Sequence, residues 1–96
     1  MSDTITYHKF TAERGSFLLS VYPGARAIGL VLRGDTPHVV VYQPHQNLKF
    51  TGTEEQFESA VSLRLLVVAA GDRVPEGSDY LGSFSSTGLY SVLVLA

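Results

Sequence analysis

Residues 25–43 read ARAIGLVLRGDTPHVVVYQ, two apolar runs on either side of Gly34-Asp35-Thr36-Pro37. Each run is rich in Val, Leu and Ile and is too short to form a packed helix. A Gly-Asp pair between two β-rich runs is typical of an antiparallel hairpin. The stretch therefore predicts two neighbouring antiparallel strands, Ala25–Arg33 and His38–Gln43, joined by a tight turn.

The same alternation of short apolar runs and turn residues extends over most of the 96-residue chain. Pro23-Gly24, Gly71-Asp72 and Gly88 are among the residues that separate the runs. Five further strands are predicted: Thr4–Phe10, Ser16–Tyr22, Ser62–Ala69, Asp79–Ser85 and Leu89–Leu95. The last ends in the uninterrupted apolar run Val92–Leu95, so we expect it to be central in a sheet or buried at an interface. The fold class is all-β, a small sandwich or partly open barrel of six or seven antiparallel strands.

The segment before the fifth strand has two interpretations. Thr53-Glu54-Glu55-Gln56 has the form of a capping box and predicts one short helix from Glu54 to about Ala60. Periodicity alone does not decide the conformation of the apolar run after Ala60, because short apolar runs fit either a helix or a strand. We favour a strand over Ser62–Ala69. The alternative is an α+β fold, with one helix over residues 54–70 packed on an antiparallel sheet.

The composition excludes several classes of protein. The chain fits one domain, has a formal net charge of −2 and contains no cysteine, so it has no disulfides and no thiolate metal ligands. Its basic residues are scattered singly, which argues against binding to duplex nucleic acid. The sequence shows neither a signal-peptide pattern nor an apolar run of about 18 residues, the length that suggests a membrane span. We therefore expect no membrane partner and a location in the cytoplasm, that of the host cell if the protein is viral.

Catalytic signatures are absent from the sequence. The histidines, His8, His38 and His45, lack the close spacing of a metal site. No serine lies in a Gly-x-Ser-x-Gly elbow, and no glycine-rich phosphate loop is present. The sequence predicts that the protein is not an enzyme and holds no cofactor or metal.

A candidate ligand site consists of cationic, aromatic and amide side chains near the ends of predicted strands. Its members are Arg64, Arg73, Tyr42, Gln43, His45 and Gln46. Arg64 interrupts an apolar strand, where a guanidinium suits a phosphate or carboxylate partner. Together these residues predict a pocket for an anionic small molecule such as a nucleotide. The alternative is ordinary exposed side chains, with Asp72 and Arg73 as a surface pair.

Three predicted strands are apolar on both faces: Val39–Val41, Leu65–Val68 and Val92–Leu95. A sheet with one solvated face would show alternation instead. So much apolar surface in a small domain favours a homo-oligomer.

Four pieces of the sequence carry a family resemblance. They are Tyr22-Pro23-Gly24-Ala25, Gly34-Asp35-Thr36-Pro37 before a Val-rich strand, the strand Asp79–Phe84, and the apolar closing strand. Over about Ser16–Ala96 the chain resembles a family of short phage- and prophage-encoded β proteins of unknown function. It departs from that family in a longer segment over Pro44–Ala60 and in its ending. The resemblance implies an all-β fold and a viral origin, and it transfers no activity or site residue.

The functional expectation combines these observations. Small size, no catalytic motif and a phage-like pattern suggest a non-enzymatic viral binding protein that counters host defence by sequestering a small nucleotide signal. One alternative is a direct protein inhibitor of a host defence or CRISPR component. The other is a phage structural or assembly protein.

Overall fold

The computed structural model describes residues 3–44 and 61–95, which form seven strands whose pairings are all antiparallel. The strands are β1 (Thr4–Lys9), β2 (Gly15–Val21), β3 (Arg26–Arg33), β4 (Thr36–Gln43), β5 (Val61–Ala69), β6 (Asp79–Ser85) and β7 (Leu89–Val94). The all-β prediction is confirmed. Each predicted strand is present, with ends that differ by at most two residues.

The strands form two sheets that pack face to face. The three-stranded sheet has the order β1-β4-β3, and the four-stranded sheet has the order β2-β5-β7-β6. Val39 and Val41 of the first sheet meet Leu65, Val67 and Val92 of the second in a core where all five are almost fully buried. The arrangement is a sandwich of two separate sheets, and β7 is central in its sheet, as the apolar closing strand predicts.

The two interpretations of residues 54–70 are partly resolved. Val61–Ala69 is a strand, so the α+β alternative is wrong over that range. The strand forms because Leu65 and Val67 alternate into the core and pair with β7 on one side and β2 on the other. The short helix predicted from Glu54 to about Ala60 lies outside the described residues.

Turn chemistry explains where the strands stop. Ala25 N–H donates to the Tyr22 carbonyl at 3.0 Å around Pro23-Gly24, and Gly24 has a φ of 84°. A type II turn needs this positive φ at its third position, which glycine adopts without strain. Between β3 and β4, Gly34 has a φ of 64° in a two-residue turn. Its backbone suits the twist of a hairpin, so β3 and β4 pair directly as predicted.

The two sheets approach each other along β3 and β6. Each of these strands contains a bulge, at Ile28 in β3 and at Leu81 in β6. A bulge bends an edge strand and increases its twist, which allows two sheet edges to converge. They are close at Gly82, where a Cβ atom would lie 3.1 Å from Leu30 Cδ1.

Residues 70–78 connect two strands that run in the same direction. β5 and β6 both pair antiparallel with β7, which lies between them. Ala69 is opposite Tyr90, at one end of β7, whereas Asp79 is opposite Val94, at the other end. The connection must therefore pass back along β7. Because the core fills the inner side, residues 70–78 cross the outer side of the four-stranded sheet.

Within the described ranges, no helix is long and apolar enough to cross a membrane.

Candidate functional site

The outer face of the three-stranded sheet combines apolar and cationic side chains that are exposed or half-buried. Its side chains are Ile5, Tyr7 and Lys9 of β1, His38, Val40 and Tyr42 of β4, and Arg26, Val31 and Arg33 of β3. We call this surface the Tyr7 face. Directly opposite residues in antiparallel strands lie on the same side of the sheet, so these nine share one face.

The centre of the Tyr7 face is apolar and open. Val40 lies between Tyr7 on β1 and Gly29 on β3. An ideal Cβ at Gly29 would meet no atom within 4 Å, so the sheet has a notch beside Val40. Ile5, Tyr7 and Val31 are 45%, 54% and 36% exposed. Exposed apolar groups this close together on a sheet are typical of an interaction surface.

Cations surround this apolar centre. Arg26, Lys9 and Arg33 are all exposed. Arg26 lies beyond Val40 at one end of the face, and Lys9 and Arg33 lie toward the other end. The carboxylate of Asp3 lies next to Tyr42, which donates a hydrogen bond to it. The face thus carries three cationic side chains and one carboxylate, and its charge is opposite in sign to the net charge of the whole chain.

The bulge at Ile28 places Arg26 on this face. Counted back from the Arg33–Thr36 pair, an uninterrupted ladder would put Ala27 opposite Tyr42. The extra residue shifts the register, so Arg26 is opposite Tyr42 instead and Ala27 turns inward toward the core. The Arg26 guanidinium lies 5.2 Å from the centroid of the Tyr42 ring, a cation–π contact.

Tyr42, one of the predicted ligand residues, is held by neighbours on both sides. Its hydroxyl donates to Asp3 and its ring lies beside Arg26. The hydrogen bond to Asp3 raises the pKa of the Tyr42 phenol, because the bond requires the protonated form. Tyr42 is therefore a fixed, neutral aromatic side chain on an exposed face.

Gln43, the next predicted ligand residue, points to the opposite side of β4 and is only 6% exposed. Its Oε1 accepts a hydrogen bond from Tyr22 N–H at 3.1 Å, and its Nε2 donates to Thr6 Oγ1 at 3.3 Å. Both polar ends of the amide are used inside the protein. Gln43 thus links the start of the turn after β2 to β1, and it is turned away from any ligand on the Tyr7 face.

The same hydrogen-bond chain continues to His8. Because Thr6 Oγ1 accepts from Gln43, its own proton is available to His8 Nε2, 2.7 Å away. In this arrangement the His8 ring is neutral. Partial burial lowers the pKa of His8, since the charged ring would lose hydration.

Arg64 lies near the middle of β5, and Arg73 lies four residues beyond its last residue, Ala69. Arg64 is exposed, opposite Leu18 of β2, on the outer side of the four-stranded sheet. Arg73 lines a surface cleft of about 420 Å³ together with Arg14 and Asp72. Ala69 is five positions from Arg64, or about 17 Å along β5.

Asp72 in that cleft is paired with Arg14 and not with Arg73. Arg14 Nε donates to Oδ2 at 2.9 Å and Nη2 donates to Oδ1 at 2.6 Å. Ala69 N–H also donates to Oδ2 at 2.8 Å. The Ala69 amide, followed by Arg14, holds the pKa of Asp72 below its ordinary value. The predicted Asp72–Arg73 pair is thus replaced by an ion pair that fastens the crossing segment to the turn before β2.

The four described members of the predicted pocket do not converge. Tyr42 is on the outer side of one sheet, Arg64 is on the outer side of the other, Gln43 is between them and Arg73 is at the far end of β5. His45 and Gln46 lie outside the described residues. Across residues 3–44 and 61–95, no cluster of three or more His, Asp or Glu side chains is placed to hold a metal ion.

Sequence reasoning did not select Tyr7 or Arg26. The alternation of Ile5, Tyr7 and Lys9 in β1 was a usable signal, since it places all three on one face of a strand. For Arg26 the hairpin turn gives a register, but that register points the residue inward. Only the bulge corrects it, and bulges have no strong sequence signature.

Comparison of the chain with protein-family models, with curated proteins and with solved structures found no significant match. A fold alone does not identify a function, so the function of this chain is inferred from the residues of its site.

Proposed function

We propose that this chain is a non-enzymatic binding protein that recognises another protein through its Tyr7 face. The observation that carries the proposal is the open apolar centre formed by Tyr7, Val40 and Ile5, with cations around it. Exposed aromatic and arginine side chains are enriched where proteins bind each other. A flat sheet face also suits a protein surface better than a small molecule, which needs a concave site.

The chemistry of the face defines the partner. Apolar side chains of the partner would cover Tyr7 and enter the notch at Gly29. Carboxylates of the partner would pair with Arg26 and Arg33, and arginine can bind a carboxylate through two parallel hydrogen bonds. The proposed partner is therefore a protein segment that combines apolar and acidic side chains. Charge complementarity of this kind speeds association and makes it sensitive to salt.

Displayed random peptides offer a direct test. Peptides selected on the wild-type protein are expected to combine acidic and apolar residues. Their binding should weaken about tenfold or more in Tyr7→Ala and in Arg26→Glu, since an aromatic or arginine at the centre of an interface commonly contributes this much. Added salt should weaken binding further.

Matched controls come from the four-stranded sheet. Leu18 and Leu89 are 64% and 62% exposed on its outer side, so Leu18→Ala and Leu89→Ala remove similar exposed apolar groups. Binding is expected to be unchanged in both. Peptides that bind Tyr7→Ala and Arg26→Glu as well as wild type would show that the Tyr7 face is not the binding surface.

A small nucleotide is the second candidate ligand. The observation that favours it is the Arg26 guanidinium beside the Tyr42 ring, one cross-strand row from Tyr7. A nucleobase could stack on Tyr7 while Arg26 pairs with phosphate. Native mass spectrometry of protein purified from its natural cell tests this candidate. A released nucleotide whose retention needs Tyr7 and Arg26 would favour it over a protein partner.

The wider role is a separate proposal. The counter-defence activity, the viral origin and the phage-assembly alternative rest on the sequence resemblance and on small size, and they stay predictions. Once a partner is captured through the Tyr7 face, its identity distinguishes a defence component from a virion component.

A further inference from the structure

The side of β1 that faces away from β4 has a hydrogen-bonding pattern that the structure defines. Among the described strands, β1 pairs with β4 alone. Phe10 N–H donates to the Pro37 carbonyl at 3.2 Å, in the same register as the β1–β4 ladder. Hydrogen-bonded pairs recur at every second residue of an antiparallel ladder. His8, Thr6 and Thr4 therefore direct their backbone groups toward β4, whereas Asp3, Ile5, Tyr7 and Lys9 direct theirs away from it.

We propose that a second copy of the chain pairs with this edge, with β1 running antiparallel to its counterpart across a two-fold axis at Thr6. In this register Ile5 of each copy is opposite Tyr7 of the other. Asp3 of each copy is opposite Lys9 of the other. The backbone groups that β1 directs away from β4 are then the ones that form the new ladder.

Charge selects this occupant and this register. Asp3 and Lys9 have opposite charges and are equally distant from Thr6, so an antiparallel copy forms the attractive pair twice. A shift of two residues in either direction loses both pairs. Opposite charges directly across a ladder stabilise the pairing, and like charges oppose it. The edge is thus complementary to itself in one register only.

β2 is the edge strand of the four-stranded sheet opposite β6, and it has no such pair of opposite charges. It also pairs on one side among the described strands, and its sequence from Gly15 to Val21 contains no charged residue. Nothing in β2 selects one antiparallel register over another. This difference favours β1 as the edge that joins two copies.

The proposal goes beyond partner binding and has a consequence for it. Two three-stranded sheets would become one six-stranded sheet. Ile5 and Tyr7 are on the Tyr7 face, so the apolar centres of the two copies would join across the axis. A dimer would then present one continuous surface of twice the area, with closed two-fold symmetry.

A charge exchange tests the register. We expect the wild-type protein to sediment as a dimer in low salt. Asp3→Lys places lysine opposite lysine at both ends of the ladder, and Lys9→Asp places aspartate opposite aspartate. Each change should raise the dimer dissociation constant about tenfold or more, because two attractive pairs become repulsive. The double variant D3K/K9D restores opposite charges, so its dissociation constant should return close to that of wild type.

A proline variant tests the edge itself. The Ile5 N–H points away from β4, so Ile5→Pro removes a donor from the proposed ladder and leaves the β1–β4 bonds in place. We expect a folded monomer by circular dichroism and sedimentation. Ile5→Val, which keeps the N–H and a β-branched side chain, should remain a dimer.

Several results would overturn the proposal. They are a wild-type protein that stays monomeric up to millimolar concentration, an Ile5→Pro variant that still dimerises, and a double variant that fails to regain the association lost in the single ones. If Ile5→Pro does not fold, the charge exchange decides the question alone.

Discussion

The outer faces of the two sheets differ in how exposed their central apolar side chains are. On the three-stranded sheet, Ile5 and Tyr7 beside the central strand are 45% and 54% exposed. On the four-stranded sheet, Leu93 and Val68 also point away from the core, yet they are only 4% and 8% exposed. Both side chains are buried, but neither belongs to the core between the two sheets. One outer face is open and apolar, and the other has a second small buried region.

Topology accounts for this difference. β5 and β6 are parallel with β7 between them, so residues 70–78 must cross the outer side of that sheet. Asp72 and Arg73 of the crossing share a surface cleft with Val68, on the same side of the sheet as Leu93. The apolar strand β7 is therefore explained within one chain, whereas none of the described segments crosses the apolar centre of the Tyr7 face.

The largest expected effect comes from removing a side chain beneath the crossing. Leu93→Ala should lower the free energy of unfolding by about 2–4 kcal/mol, since it removes buried methyl groups and leaves a cavity. Ile5→Ala on the open face should lower it by less than about 1 kcal/mol in the monomer, because much of Ile5 is in water there. Urea denaturation of both variants measures the difference. Equal losses would contradict the contrast between the two faces.

The strand spans show how much local sequence determines. Asp79–Ser85 is a strand with the predicted bounds, and β5 ends at Ala69 as expected. Glycine turns and alternating apolar residues act over a few positions, so they can be read without knowing which strands pair. This is why the all-β class and the β3–β4 hairpin follow from the sequence.

The site depends on longer-range features that local patterns do not contain. The sequence shows Gln43 only as a polar residue at the end of a strand. Side chains alternate between the two faces of β4, and this alternation points Gln43 inward, where it hydrogen-bonds to Tyr22 and Thr6. Arg64 and Tyr42 could be neighbours only if β5 and β4 were in the same sheet. They belong to different sheets. Strand order and sheet membership arise from pairings far apart in the chain.

The next largest effect concerns the anchor of the crossing. Asp72→Ala removes the acceptor of both Ala69 N–H and Arg14, so it should lower the melting temperature more than Arg14→Ala does. The backbone amide loses its partner in the first variant and keeps it in the second. Differential scanning fluorimetry measures both. A larger shift for Arg14→Ala would mean that the ion pair, and not the amide, holds the segment.

The Asp72 anchor also predicts an acid sensitivity. Its pKa is lowered from the ordinary value of 3.8, so its contribution to stability is present above 3.8 and is lost as the pH falls through the lowered pKa. Wild type and Asp72→Ala should therefore differ most near neutral pH and converge in strong acid.

Substitutions at two glycines compare the close contact between β3 and β6 with the open Tyr7 face. Gly82→Ala places a Cβ atom 3.1 Å from Leu30 Cδ1, so Leu30 must shift and stability should fall by about 1 kcal/mol. Gly29→Ala meets nothing within 4 Å and should be neutral or stabilising by up to about 1 kcal/mol, because alanine restricts the unfolded chain. Denaturation of the pair checks this. A combined Gly82→Ala and Leu30→Val change should recover part of the loss if the clash is its cause.

The smallest effect concerns the inner faces, which also differ between the sheets. The three-stranded sheet places His8, Thr6 and Gln43 in a hydrogen-bonded chain on its inner side, whereas Leu65, Val67 and Val92 make that of the other sheet apolar. Burial lowers the pKa of His8 below its ordinary value of 6.5, so the unfolded chain binds more protons just below that pH. Stability should therefore fall as the pH drops below 6.5.

His8→Gln keeps a group that can bond Thr6 and removes the titration, so it should lose less stability than wild type between pH 8 and pH 5. The other two histidines are common to both proteins and cancel in the difference. Equal losses in the two proteins would show that His8 does not gain a proton on unfolding in this range.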